Sequence, residues 1–331
     1  MENSKNEHIV EKTIRLLAVD PIHVGIGRDR IGRVDMPIVR TPETGIPKIP
    51  GTAINGACRH FADLRLRMAG KRSTSAGQKF KAEEEEINGK TVKLKQSQCP
   101  VCLTFGYTDE EESSQEGFLS IKDAHIMLFP VRTCLGTTWV TTPDRLKKFI
   151  PGIEIKPDNL PFSFLRPDGG SLDIGWYLMQ ANKVPTNLSV SLNKLYFNDL
   201  PARKLTVVDE KSFSFVVNDN LEVRTGIAIN PDTGTVEEGA LFRFEAIPRG
   251  TYLAFEVALK PNWTERFSKA FTELTPALWF KMDTDLITQW SDKTKYTPWS
   301  VFALAEEGLL KLGLGGMTTR GFGRLSWDFQ K

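Results

Sequence analysis

The 331-residue chain has no long apolar run and few cysteines. No stretch approaches the roughly 18 apolar residues of a transmembrane helix, so we predict no membrane span. The first twelve residues are polar and charged and lack the apolar segment of a secretion signal, so we expect none. Four cysteines in such a chain predict a reducing compartment, with thiols that are free or bound to metal.

Excess charge of one sign is also lacking, because the net charge is only +2. The distribution of charged residues along the chain is more informative than the net charge. Residues 14–72 hold eleven Lys or Arg against five Asp or Glu, whereas acidic residues concentrate at 83–86 and 109–112. This distribution is compatible with one basic face that binds nucleic acid. The alternative is ordinary scatter of charge over solvated loops.

Apolar periodicity and turn residues predict an α+β fold. The predicted strands cover residues 14–19, 118–129, 139–142, 213–217, 223–229, 252–259 and 325–329, and the predicted helices cover 53–68, 144–149 and 297–312. One helix follows an early strand and another precedes the last strand, an order that suits a ferredoxin-like (RRM-like) βαββαβ core with long insertions. We therefore predict one domain over residues 1–331, with a charge-rich insertion at 71–117 and a β-hairpin at about 220–243.

A glycine-punctuated loop over residues 23–37 is the first candidate site. Its arginine forks suit phosphate oxygens, and its glycines permit close approach of the backbone. A carboxylate beside arginines can hold a metal ion or accept a proton from a ribose hydroxyl. The alternative is that the acids merely pair with the arginines. The charged residues concerned are Arg28, Asp29, Arg30, Arg33 and Asp35.

Two further segments are candidates for phosphate binding. The helix that starts near Thr52, its predicted N-cap, offers backbone N–H groups, and Asn55 and Arg59 add side-chain donors. The segment GLGGMTTRGFGR at residues 313–324 resembles a phosphate-cradling loop but lacks the Lys-Ser/Thr ending of an NTP site. A capped helix and a plain glycine-rich turn are the respective alternatives.

The pair Cys99 and Cys102 has the CxxC spacing of half a zinc site. A second CxxC is absent, so the remaining ligands must come from elsewhere in the chain. Cys58 and His60 are nearest in sequence, but they lie two apart on a predicted helix and do not face the same point, and His60 is the candidate that we name. His125 and Cys134 are alternatives, and inert buried thiols are the competing interpretation.

Several segments, in order along most of the chain, resemble one family. They are GRVDMP at residues 32–37, TGIPKIPGTAING at 44–56, FG at 105–106, DA at 123–124, PVR at 130–132 and the glycine-rich end. The series resembles the RAMP superfamily and, more narrowly, the backbone subunit of type III CRISPR complexes. The stretches PVRTCLGTTWVTTPDRL and RTGIAINPDTGTVEEGALFRFE are most similar to the Cmr type, whereas the CxxC is more typical of the Csm type.

The resemblance implies a hand-shaped subunit of a prokaryotic, cytoplasmic complex. Its palm would bind the crRNA guide, several copies would stack with other complex subunits, and the hairpin would insert as a thumb into the duplex of guide and target RNA. Asp35 would cleave the target at regular intervals with Mg²⁺ or another divalent metal, through attack of the ribose 2′-OH on the adjacent phosphate. Independently of the resemblance, the CxxC spacing predicts a structural Zn²⁺ in the insertion.

The residues expected to contact RNA are Arg28, Arg30, Arg33, Arg40, Lys48, Thr52, Asn55, Arg59, Arg224, Thr318, Thr319 and Arg320. Asn55 departs from the family, which often has lysine at this position. Two alternatives stay open. The chain is a crRNA-binding scaffold without catalysis, or it is a stand-alone nuclease for precursor RNA that uses His23 as a general base without metal.

Overall fold

The computed structural model describes residues 9–27, 34–68, 84–87, 90–93, 99–108, 114–149, 155, 157–185, 204–264, 267 and 297–328. Its helices are α1 Gly51–Met68, α2 Pro100–Phe105, α3 Pro143–Phe149, α4 Glu210–Asp219, α5 Pro298–Ala303 and α6 Glu306–Lys311. Among the helices of these residues, none combines the length and apolarity that a membrane span requires.

The strands are short and numerous, and together with the helices they form a mixed α+β fold. They are β1 Val10–Ala18, β2 Lys48–Ile49, β3 Glu84–Ile87, β4 Lys90–Lys93, β5 Tyr107–Thr108, β6 Ser114–Gln115, β7 Leu119–Ile121, β8 Ala124–Thr133, β9 Gly136–Thr141, β10 Phe162–Ser163, β11 Gly170–Ile174, β12 Tyr177–Ala181, β13 Leu205–Val207, β14 Glu222–Ile229, β15 Val236–Ala246, β16 Tyr252–Leu259 and β17 Leu325–Asp328.

The described residues divide into two compact units. The first unit takes its residues from 1–14, 50–123 and 255–314, and the second takes them from 15–49, 124–254 and 315–331. The first unit is mainly helical. In it, Gly308 of α6 lies so close to α1 that a β-carbon there would stand 2.3 Å from the ring of Phe61. An ion pair of 3.0 Å between Arg65 and Glu307 crosses the same contact.

The second unit is built on a mixed sheet in the order β10-β13-β9-β8-β16-β1-β17, with β2 paired to β8. Strands β9 and β13 run parallel, whereas β8 and β9 form an antiparallel hairpin. Its core is apolar because β8 and β13 are buried along most of their length, as expected for strands covered on both faces. Leu128, Phe162, Leu205 and Val207 are almost completely buried there.

Strands β14 and β15 form a separate antiparallel hairpin in the second unit, as predicted. The turn over residues 230–234 is closed by a hydrogen bond of 2.9 Å from the Gly234 N–H to the Asn230 carbonyl. Gly234 has a φ of +65°, a conformation that glycine adopts without steric cost. The hairpin sequence therefore determined both its turn and its strand pairing.

Three sequence predictions of secondary structure are wrong. Residues 213–217 lie in α4, because Asp209 caps the helix through the Ser212 N–H at 2.9 Å and Phe213, Val216 and Val217 form its buried face. The predicted strand 118–129 is two strands, β7 and β8. They are separated at Lys122, whose N–H donates to the Glu256 carbonyl.

The predicted helix 297–312 is two helices, α5 and α6. The Ala305 N–H bonds to the Phe302 carbonyl three residues earlier, which tightens the backbone between them. Thr297 caps α5 with a capping box, and Pro298 follows it.

Candidate functional site

The segment that contains Asp35 is joined to the base of the hairpin in the second unit. The N–H groups of Asp35 and Met36 both donate to the carbonyl of Arg243 in β15, at 3.1 and 3.0 Å. The Glu245 N–H in turn donates to the Met36 carbonyl at 3.2 Å. The end of the predicted loop therefore pairs with β15 almost as an added strand.

The carboxylate of Asp35 is exposed and held from one side. Its Oδ2 accepts a hydrogen bond of 2.7 Å from the Arg243 N–H, and the residue as a whole is exposed. The Arg243 side chain is exposed as well, and no carboxylate among the described residues forms an ion pair with its guanidinium. An accessible acid and an accessible arginine are thus brought together at the base of the hairpin.

Sequence reasoning missed Arg243, which lies 208 residues from Asp35 along the chain. The available signal was the position of RFE at the end of the predicted hairpin. That signal shows that Arg243 is in a strand but not which segment pairs with it.

His23 is buried beneath this junction, with 4% of its surface exposed. Its Nδ1 lies 2.6 Å from the Glu245 carbonyl. Because a carbonyl oxygen only accepts, the proton belongs on Nδ1 in this arrangement. Burial and this bond favour a structural role for His23 over the general-base role that the stand-alone nuclease hypothesis needs.

The glycine-rich segment packs directly against His23. The Gly316 N–H donates to the His23 carbonyl at 2.8 Å. Gly315 has a φ of +92°, and a β-carbon there would stand 2.4 Å from the same carbonyl oxygen. The glycines are therefore required for close approach of two backbones, which explains part of the pattern that suggested a phosphate loop.

The predicted contacts Thr318, Thr319 and Arg320 form a 3-10 turn between Met317 and Gly321, both left-handed. Thr319 and Arg320 are exposed and Thr318 is half-buried. Phe322, which follows the turn, is buried against Phe244 with ring centroids 5.6 Å apart. The turn is thereby brought to the same end of β15 as Asp35.

Two arginines predicted to bind RNA are engaged within the chain. Arg40 donates to Glu245 at 2.7 Å, to the side chain of Asn218 and to the Gly45 carbonyl at 3.2 Å. Arg224 pairs with Glu222 and stacks over the ring of Phe322 at 4.7 Å. Lys48 is half-buried in β2, paired with His125 of β8. Their contact with RNA stays a prediction.

Next to the glycine-rich end, Arg324 forms a two-pronged ion pair with Asp20. The guanidinium donates hydrogen bonds to the Asp20 carboxylate and thereby holds its pKa below the usual value for aspartate.

In the first unit, the start of α1 is already capped by the chain itself. The helix begins at Gly51, whose N–H donates to the Asp123 carboxylate at 2.8 Å. Thr52 is exposed within the helix, so its prediction as N-cap is wrong. Asn55 donates to the Phe105 carbonyl at 3.4 Å, and Arg59 is half-buried. RNA contact by Thr52, Asn55 and Arg59 stays a prediction.

The cysteine pair lies at the start of α2, where Cys99 and Cys102 are buried while His60 on α1 is exposed. Within the residues that the structure describes, no three His, Cys, Asp or Glu side chains come together to hold a metal. Zinc binding by Cys99, Cys102 and His60 therefore stays a prediction. Burial raises the pKa of the nearby Cys58 thiol, which suits a packing role.

Four residues of the predicted loop, Arg28, Asp29, Arg30 and Arg33, lie outside the described residues. Of the predicted insertion 71–117, the structure describes 84–87, 90–93, 99–108 and 114–117. Strands β3 and β4 of this insertion pair as a hairpin.

Two curated proteins are similar in sequence. The CRISPR system Cmr endoribonuclease Cmr4 of Pyrococcus furiosus is 25% identical over 269 residues, which is 75% of this chain and 81% of that protein. The CRISPR system Cms endoribonuclease Csm3 of Methanothermobacter thermautotrophicus is 30% identical over 104 residues, which is 31% of this chain and 35% of that protein.

Solved structures of low sequence identity share the fold. A chain of the type III-B Cmr-beta complex bound to cognate target RNA matches with a TM-score of 0.58 and 16% identity, over 96% of this chain and 97% of that one. A crystal structure of Cmr4 matches with a TM-score of 0.53 and 17% identity, over 96% and 99%. The family model of the RAMP superfamily matches residues 15–326, so this chain belongs to the RAMP superfamily.

Proposed function

We propose that this chain is the crRNA-binding backbone subunit of a type III CRISPR complex of the Cmr type, and that it cleaves the guide-paired target RNA through Asp35. The observation that carries the proposal is the exposed Asp35 carboxylate, held by the backbone of β15 at the base of the hairpin. Similarity to a Cmr endoribonuclease over three quarters of the chain supports it.

In this proposal the sheet of the second unit is a ferredoxin-like palm and the β14–β15 hairpin is its thumb. The thumb carries exposed apolar side chains, namely Ile227, Ile229, Val236 and Leu241. Exposed apolar groups on a hairpin favour contact with a partner surface. They are suited to wedge between stacked bases of the duplex or to rest on a neighbouring copy in the filament.

The proposed reaction breaks a phosphodiester bond of the target RNA. The ribose 2′-oxygen forms a bond to phosphorus, the bond from phosphorus to the 5′-oxygen breaks, and a cyclic phosphate remains. Asp35 accepts the 2′-OH proton or helps to hold a metal ion, and water protonates the leaving oxygen. The exposed guanidinium of Arg243 is suited to offset the charge that develops on the phosphate.

A divalent metal such as Mg²⁺ fits the donor set at this point of the fold. Mg²⁺ is commonly held by one or two carboxylates together with substrate phosphates rather than by a protein cage. Asp35 supplies one such exposed carboxylate, and no three-ligand cluster exists among the described residues. When bound, the metal would stabilise negative charge on the phosphate.

RNA binding is proposed to use accessible donors in each unit. Thr52 in the first unit and Thr319 and Arg320 in the second are exposed. Arg40 and Arg224 already have partners within the chain, so their contribution to RNA affinity is expected to be smaller than that of Arg320. Partners of the assembled protein would be the crRNA, the target RNA, further copies of this chain and other complex subunits.

The test is cleavage of a guide-complementary RNA by the reconstituted complex, with Mg²⁺ and with EDTA. We expect Asp35→Ala to lower the cleavage rate by roughly 100-fold or more while assembly persists, since general acid–base or metal-ligand function is lost. Asp158→Ala is the matched control, because Asp158 is also an exposed acid of the second unit. Unchanged cleavage by an assembled Asp35→Ala complex would instead identify this subunit as a non-catalytic scaffold.

A further inference from the structure

We infer that Glu245 and Arg40 are positioning residues that hold the Asp35 carboxylate in its cleaving orientation. The inference rests on the proposed function of Asp35 and assigns to Arg40 a role different from RNA binding.

Glu245 connects three segments of the second unit at once. Its N–H donates to the Met36 carbonyl at 3.2 Å, directly after Asp35. Its carbonyl accepts from His23 at 2.6 Å. Its carboxylate accepts from Arg40 at 2.7 Å. One residue of β15 therefore links both ends of the loop 23–37 and the segment that follows it.

Arg40 anchors this arrangement to α4. Its guanidinium reaches the side chain of Asn218, and Asn218 donates to the Ser214 carbonyl at 2.9 Å within the helix. It also reaches the Gly45 carbonyl at 3.2 Å. Planar guanidinium groups suit several fixed acceptors at once, so Arg40 acts as a brace between the helix and the strand.

The Arg40–Glu245 pair is partly shielded from water. Their side chains are 28% and 13% exposed, respectively. Removing Glu245 leaves the Arg40 guanidinium with neutral acceptors only, and removing Arg40 leaves the Glu245 carboxylate without its opposite charge. Either loss costs more than breaking an exposed pair. We therefore expect the end of β15 to shift when either partner is lost.

Such a shift would reach Asp35 directly. The Arg243 N–H that binds the Asp35 carboxylate lies two residues before Glu245 on the same strand. A displacement of about 1 Å of a reacting group can cost roughly 100-fold in rate. Glu245 and Arg40 touch Asp35 only through this backbone, which is why they position the group and do not react.

The test separates the chemical step from target binding in the reconstituted complex. We expect Glu245→Ala to lower the single-turnover cleavage rate by roughly 10- to 100-fold at saturating complex, with the Kd for target RNA within about twofold of wild type. Glu245→Gln keeps the length and one acceptor oxygen for Arg40, so we expect a smaller loss. The exchange Arg40→Glu with Glu245→Arg restores the ion pair and should recover part of the rate.

The matched control is Glu210→Ala, which removes the ion pair between α4 and Arg145 of α3 in the same unit. It should leave the cleavage rate near wild type. The inference is overturned if Glu245→Ala and Glu245→Gln both cleave at the wild-type rate, or if rate and target affinity fall together in every variant.

Failure of the inference and failure of the proposed function give different results. If Asp35→Ala still cleaves, the proposed function is wrong whatever Glu245 does. If Asp35→Ala is inactive while the Glu245 variants cleave normally, the proposed function stands and only the inferred positioning role of Glu245 is wrong. Should Glu245→Ala fail to assemble, Glu245→Gln and the charge exchange decide between the outcomes.

Discussion

Asp35 and Asp123 make the same local interaction with different consequences. Each carboxylate accepts a backbone N–H from a distant segment, Asp35 from Arg243 at 2.7 Å and Asp123 from Gly51 at 2.8 Å. Asp123 is half-buried and neutralises the positive end of α1, where a phosphate had been predicted. Asp35 is exposed next to an accessible arginine.

The difference shows that the number of hydrogen bonds does not identify a reactive carboxylate. Asp123 stabilises a helix terminus, and its bond satisfies a donor that would otherwise lack an intrahelical partner. Asp35 terminates no helix, and its bond fixes the orientation of a group that stays open to solvent. Substitutions at the two sites should therefore separate stability from activity.

The largest expected loss of stability comes from adding a β-carbon at Gly51, the first residue of α1. In Gly51→Ala the new β-carbon would stand 2.3 Å from the Ile121 carbonyl oxygen, so the backbone near Asp123 must move. We expect a loss of about 1–3 kcal/mol in the free energy of unfolding, measured by urea denaturation.

Gly56→Ala in the same helix is the control, because nothing lies within 4 Å of the β-carbon that alanine would add there. It should stabilise the protein by about 0.5–1 kcal/mol through helix propensity. Equal destabilisation by both variants would show that the close contact at Gly51 is not responsible.

Substitution of Asp123 and of Asp35 should give the next largest difference in the free energy of unfolding. Asp123→Ala removes the cap of α1 and should cost about 1 kcal/mol of unfolding free energy. Asp35→Ala changes an exposed residue and should cost less than about 0.5 kcal/mol. A urea midpoint for Asp35→Ala as low as that for Asp123→Ala would contradict the distinction between a structural and a functional carboxylate.

The smallest effect concerns a third carboxylate, Asp20, paired with Arg324. The guanidinium lowers the pKa of Asp20 in the folded protein. A lowered folded pKa contributes stability above the unfolded pKa of about 3.9, and this contribution is lost as the pH falls through the folded pKa. Arg324→Gln should therefore lower the urea midpoint slightly at pH 7 and lose this effect in acid.

Asp20→Asn provides the companion measurement. Its effect at pH 7 should match that of Arg324→Gln, and the double variant should add nothing further, because both changes remove one ion pair. An Arg324→Gln effect of the same size at pH 3 and pH 7 would assign it to packing of the arginine stem instead.

Sequence patterns predicted secondary structure best where it depends on residues that are close together along the chain. The helix α1, the turn at residues 230–234 and the final strand follow directly from periodicity and turn composition. Residues 213–217 were wrongly predicted as a strand because aromatic and β-branched residues favour strands when read alone. Their spacing at i, i+3 and i+4 matches one face of a helix, and the cap at Asp209 confirms that state.

The candidate site was predictable in part. Asp35 came from the pattern of the loop, its catalytic role came from the resemblance to the RAMP superfamily, and the structure shows the residue exposed. The sequence named Arg28, Arg30 and Arg33 as its neighbours and missed Arg243, which lies 208 residues away along the chain. The structure engages Arg40 with Glu245 and leaves the Arg243 side chain accessible.

Local sequence patterns were sufficient to predict helix α1, the hairpin turn and the final strand, and ordered motifs were sufficient to predict the family. Those properties depend on interactions within a few residues or on ordered motifs along the chain. Which polar groups are satisfied internally and which stay open depends instead on the tertiary fold. The reason is that the partners of Asp35, Arg40 and Gly51 come from segments far away in sequence, and their pairing is set by the topology of the fold.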